Sequence, residues 1–101
     1  MAAPFRLAPA AEEQVGDIVA FIASDSEEAA VQVRTAFYDA FGLLAKQPEI
    51  GHAREDLTNR PVKFWRVYSY LVVYDPASMP LTVLAVLHGA RDVQQILRDL
   101  D

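Results

Sequence analysis

The 101 residues predict a single α+β domain over 1–101, in which a short N-terminal strand and a helical hairpin pack on a mainly antiparallel sheet. Apolar residues recur at helical spacing in two stretches, Ala11 to Ile22 and Ala30 to Leu44. Three β-rich runs, at about 62–67, 70–75 and 81–88, then follow with no helical stretch between them. Helices and strands are thus segregated along the chain, giving the order β-αα-βββ-α. With 52% apolar residues and 10% aromatic, one two-layer core is affordable in composition, although a domain this small is only marginally stable alone.

Phe5, Arg6 and Leu7 form the first strand, and Pro9 suits the first turn of a helix, where a missing N–H would be unpaired in any case. Ala11, Val15, Ile18, Val19 and Ile22 make the apolar face of that helix, with Glu12 and Glu13 near the positive end of its dipole. Gly16 weakens it by roughly 1 kcal/mol relative to alanine, which suggests a close approach to the second helix. The break falls at Ser24-Asp25-Ser26, where Ser24 with Glu27 or Asp25 with Glu28 has capping-box spacing. The second helix runs to about Gln47 before Pro48, with Ala30, Val33, Phe37, Phe41 and Leu44 as its buried stripe.

From Pro48 to Pro61 the chain is polar and without period, a surface loop. Tyr68-Ser69 sits where the first two of the later strands must turn, and a proline-bearing segment, 75–80, separates the second from the third. Gly89 stops the last strand. Asp92 can cap a short C-terminal helix whose apolar face is Val93, Ile96, Leu97 and Leu100.

No cysteine occurs, which excludes disulfides, thiolate metal sites and a cysteine nucleophile, and fits a reducing compartment. No stretch resembles a signal peptide or approaches the roughly 20 apolar residues of a membrane span, so a cytoplasmic protein is expected. The net charge of −5 is uneven: residues 1–45 carry −5, 46–66 carry +2 and 67–101 carry −2. Such a balance disfavours non-specific binding to nucleic acid. The one basic region, holding Arg54, Arg60, Lys63 and Arg66, remains available as a local patch.

His88 stands at a strand end near Arg91, where an imidazole could move a proton at neutral pH. A lone histidine supplies only one of the roles that acid–base cleavage requires, and strand alternation puts Lys63 and Arg66 on opposite faces. No ligand-spaced partner accompanies His52 or His88, so neither a metal nor another cofactor is expected. Phe64, Trp65, Tyr68, Tyr70 and Tyr74 fall within eleven residues, more than two helices can cover. Some of them should face outward as partner contacts, with Tyr70 and Tyr74 as candidates beside Arg54, Arg60 and Arg66.

Taken in order, the loop Gly51-His52-Ala53-Arg54-Glu55-Asp56-Leu57, the strand Tyr70-Leu71-Val72-Val73-Tyr74 and the ending Leu87-His88-Gly89-Ala90-Arg91-Asp92 resemble the ParE branch of the RelE/ParE toxins. These are the toxins of bacterial and plasmid toxin–antitoxin modules. The resemblance implies a RelE/ParE-like fold and a protein that is not an enzyme, inhibiting DNA gyrase and neutralised by a cognate antitoxin. The antitoxin would carry a DNA-binding N-terminal domain, so that DNA is met only through it. Its acidic C-terminal segment would lie over the helical hairpin and the sheet. The runner-up is a ribosome-dependent mRNA endoribonuclease of the RelE kind using Arg66, His88 and Arg91, and a third possibility is a non-toxic antitoxin-binding relative. Within the resemblance, Arg54 and Asp56 would tie the long loop to the sheet, with Leu57 as its anchor. Where such toxins often have Pro-Val-Gly before the aligned Tyr70, this chain has Arg66-Val67-Tyr68, so its hairpin must turn without that glycine.

Overall fold

A computed structural model describes residues 4–89. Strand β1 (Phe5–Leu7) leads into helices α1 (Pro9–Ala23) and α2 (Glu27–Lys46), a short 3-10 turn (Pro48–Ile50), and strands β2 (Lys63–Val67), β3 (Tyr70–Asp75) and β4 (Leu81–His88). The sheet order is β1-β4-β3-β2, with β1 parallel to β4 and the other two pairings antiparallel. The expected α+β arrangement is therefore present, with β1 as the one parallel strand. The C-terminal helix expected from Asp92, together with Arg91, lies outside the described residues.

Both helices cover one face of the sheet. Ala11 and Val15 of α1 and Phe37, Phe41 and Leu44 of α2 join Val67, Val72, Tyr74, Leu81, Val83 and Val86 in one core. Period-two alternation sends Phe64, Val73, Ala85 and Leu87 to the other face. There they form a second cluster with Val62, and Leu57 packs against it. The later part of the polar segment after α2, at Leu57 and Val62, thus lies across the face opposite the helices and gives this thin domain a third layer. That layer is why Phe64 is buried although no helix reaches it.

The α1–α2 corner departs from the expected capping boxes. Ser24 stays in right-handed helical geometry as the C-cap of α1, and its hydroxyl turns back to donate to the Phe21 carbonyl at 2.6 Å. Ser26 has the extended backbone an N-cap needs, and its Oγ accepts from Ala29 N–H at 3.1 Å. Glu27, Glu28 and Lys46 then lie at the dipole ends that favour their charges.

Gly16 is exposed, and a Cβ added there would meet nothing within 4 Å, which overturns the expected close approach to α2. Its only effect on α1 is entropic. Gly16→Ala should raise stability by roughly 0.5–1 kcal/mol, read as a higher denaturant midpoint at unchanged slope. A lower midpoint would mean that a contact forms at this position.

The β2–β3 turn forms without glycine because Tyr68 itself takes φ +54°. Left-handed geometry costs a non-glycine residue about 1–2 kcal/mol. Arg66 Nε donates to the Tyr68 carbonyl at 3.0 Å and so helps to hold the turn.

Candidate partner-binding surfaces

The basic region lies on the loop and β2, near the outer edge of the sheet. His52 and Phe64 exchange both backbone hydrogen bonds, at 2.9 and 2.8 Å, which ties the loop to β2. The His52 ring also stacks on Trp65, with 6.5 Å between centroids. Beyond this bridge, Arg54, Asn59, Arg60 and Lys63 help to line a depression of about 400 Å³.

Arg54 and Asp56 do not reach the sheet. They form a two-point pair with each other, at 3.0 and 2.8 Å, and both side chains are exposed. The hydrogen bond from Arg54 holds the Asp56 carboxyl below its ordinary range, and the same bond raises the guanidinium. Residues two apart in a tight turn meet one another more readily than they span to a strand, so the pair shapes the loop locally. Leu57, as expected, is the residue that anchors it. Lys63 lies 3.8 Å from Glu49, on the helix-covered face with Trp65 and Val67, opposite Arg66.

Tyr74, expected as a partner contact, is instead a core residue with 0% exposure. Its hydroxyl donates to the Pro48 carbonyl at 2.7 Å and accepts from Gly51 N–H at 3.0 Å. Burial, foremost, raises the phenol above its ordinary pKa. The side chain fastens the start of the loop and offers a partner no surface. Gly51 was not among the expected site residues. A side chain there would collide with the Tyr74 ring, so glycine is required by the close approach of loop backbone to phenol.

Tyr70 is half-buried. It meets Phe37 edge-on at 5.4 Å and the His88 ring at 5.0 Å, and all three lie on the helix-covered side. Arg66 faces the other way, exposed, opposite Leu71 in the β2–β3 register. The cluster imagined for RNA cleavage is therefore split across the two faces for Arg66 and His88, while Arg91 lies outside the described residues.

At the His88 end, Asp17, Ile18, Phe21, Tyr70 and His88 line a depression of about 450 Å³. Phe21 is 79% exposed. It falls out of phase with the buried stripe of α1, and a large apolar residue in that position was the sequence signal for a surface site here. The exposed side of the hairpin is strongly acidic, carrying Glu12, Glu13, Asp17, Glu27, Glu28 and Asp39 against Arg34 and Lys46. An acidic partner segment would be repelled there, so the two halves of the expected docking, over the hairpin and onto the arginines, require different surfaces.

Among the described residues no helix is long and apolar enough to cross a membrane. No curated protein matches the chain. A family model described as the ParE toxin of type II toxin–antitoxin system, parDE, matches residues 5–93.

Proposed function

We propose, from the premise that the chain belongs to the ParE toxin family of type II toxin–antitoxin systems, that it acts by inhibiting DNA gyrase and is silenced by a cognate antitoxin. Membership makes it the toxin of such a module, and the α+β fold of hairpin on sheet is consistent with the family. The family match is the observation that carries the gyrase proposal. A non-enzymatic mode of action is supported by the separation of Arg66 from His88, since general acid–base cleavage needs its proton donor, its base and its phosphate-binding cations around one substrate atom.

The antitoxin is proposed to engage the Arg54 and Arg60 side of the sheet with an acidic segment and to meet operator DNA through its own N-terminal domain. Arg66, on the same face, extends that surface towards the β2–β3 turn. Exposed charges there would add more to association rate and partner choice than to affinity.

Supercoiling by purified gyrase is the decisive assay, and the chain should block it. Fresh mRNA cuts at the ribosomal A site with gyrase unaffected would instead establish the RelE-like mode. His88→Ala should leave growth inhibition essentially unchanged, because no acid or base is removed. Loss of about 10²- to 10⁴-fold in activity at unchanged thermal stability would identify His88 as a proton-transferring residue and overturn the non-enzymatic proposal.

A further inference from the structure

Among the described residues, strand β4 has a neighbouring strand on its β1 side for less than half its length. It runs from Leu81 to His88, but β1 pairs only with Leu81, Thr82 and Val83. The parity of the ladder fixes where the remaining backbone groups point. Phe64 exchanges its hydrogen bonds outward with His52, so its partner Val73 must bond across to Ala85, and Leu71 likewise to Leu87. The backbone groups of Val86 and His88 therefore face away from β3, into the column that β1 has vacated.

One of these groups is already capped by a substitute. The Val86 N–H donates to the side-chain oxygen of Gln14 on α1, at 2.8 Å. An amide oxygen thus stands where the carbonyl of an adjoining strand would be. Among the described residues, the Val86 carbonyl and the His88 N–H have no strand partner. Beside this stretch lies the depression formed by Asp17, Ile18, Phe21, Tyr70 and His88, whose lining joins two apolar side chains and two rings with one carboxylate.

We propose that this open stretch of β4 accepts an extended peptide segment of the antitoxin as an added strand, with an apolar side chain seated between Ile18, Phe21 and Tyr70 and a lysine or arginine reaching Asp17. This deepens the toxin–antitoxin proposal and rests on it. Main-chain hydrogen bonds supply the general affinity of such an addition, and the pocket beside the edge supplies its selectivity. The charge of the occupant follows from α1, where Glu13 stands one turn before Asp17 and, among the described residues, no lysine or arginine lines the depression. The slot thus selects the opposite charge to the Arg54 and Arg60 surface. One antitoxin chain serving both would carry a basic, apolar strand and an acidic stretch in separate parts. At about 3.3 Å per residue the uncovered part of β4 takes an addition of about five residues.

The test uses the full chain with the polypeptide encoded by the adjacent reading frame, and follows amide exchange residue by residue together with binding. In the complex, the His88 amide should exchange at least tenfold more slowly. Asp17→Lys should weaken binding tenfold or more and Asp17→Asn by less, with melting temperatures near that of the parent, since Asp17 is exposed. A tight complex in which His88 gains no protection and Asp17→Lys binds normally overturns the strand slot while leaving the toxin–antitoxin reading intact. No complex at all overturns both. Protection of His88 that grows with the concentration of this chain alone gives the slot to a second copy, and likewise overturns the proposal.

Discussion

Phe37→Ala should destabilise the domain by about 3–5 kcal/mol, the usual cost of removing a buried phenylalanine ring. Phe37 has 0% exposure, stacks on Phe41 at 6.3 Å and meets Tyr70 edge-on at 5.4 Å, so it joins α2 to the first residue of β3. The hole would open between a helix and a sheet that have little freedom to collapse, because Val15, Val72 and Val86 are themselves packed in the same cluster. Domains of this size have total stabilities on the order of 5–15 kcal/mol, so the variant should be partly unfolded near physiological temperature. Urea unfolding with an unchanged slope checks this. A midpoint within error of the parent's would show that the buried face of α2 has been misassigned. Any loss of growth inhibition should follow the folded fraction, while antitoxin binding should raise the melting temperature of the variant without restoring inhibition.

The contrast between Phe37 and Tyr74 shows where the sequence was readable. Phe37 belongs to a stripe of five apolar residues at helical spacing, and such a period survives any detail of tertiary packing. Both helices, the later strands and the β2–β3 turn follow from signals of this local kind. Tyr74 belongs to an aromatic excess whose distribution between core and surface depends on where the segment after α2 packs, since Pro48 and Gly51 close over its hydroxyl on the helix-covered side. That segment is aperiodic, and it is fixed by the Tyr74 hydroxyl at Pro48 and Gly51, by His52 bridging to Phe64 and by Leu57 on the far face, contacts between residues whose spacing carries no pattern. Counting only the helices as cover made Tyr74 look like a partner contact. The alternation of β2 placed Lys63 and Arg66 on opposite faces without reference to the loop, and the structure has them so. The uncovered stretch of β4 was out of reach for another reason: it depends on how far β1 extends along a strand more than seventy residues later in the chain.

Tyr74→Ala should cost an amount comparable to Phe37→Ala, roughly 3–5 kcal/mol for loss of the buried ring, and should also loosen the start of the loop. The two hydroxyl contacts, to the Pro48 carbonyl and from the Gly51 N–H, join the end of α2 to β3 across the segment that leads to Arg54 and Arg60. Tyr74→Phe separates the two effects. It keeps the ring and leaves the buried Gly51 N–H without its acceptor, at a cost of about 1–3 kcal/mol. Amide exchange should then quicken at Gly51 in Tyr74→Phe, while the β3–β4 ladder keeps its protection. The pH dependence has a definite sign. Burial, foremost, raises the folded-state pKa of Tyr74 above the ordinary 10.0, so the neutral phenol belongs to the folded protein. Its contribution to stability is complete below that ordinary value and is lost as pH rises through the raised one. The parent should therefore lose stability on the alkaline side of pH 10 more steeply than Tyr74→Phe does, with the two curves running parallel at neutral pH. Parallel curves throughout would mean that the phenol reaches solvent in the folded state, returning Tyr74 to the set of residues a partner could touch.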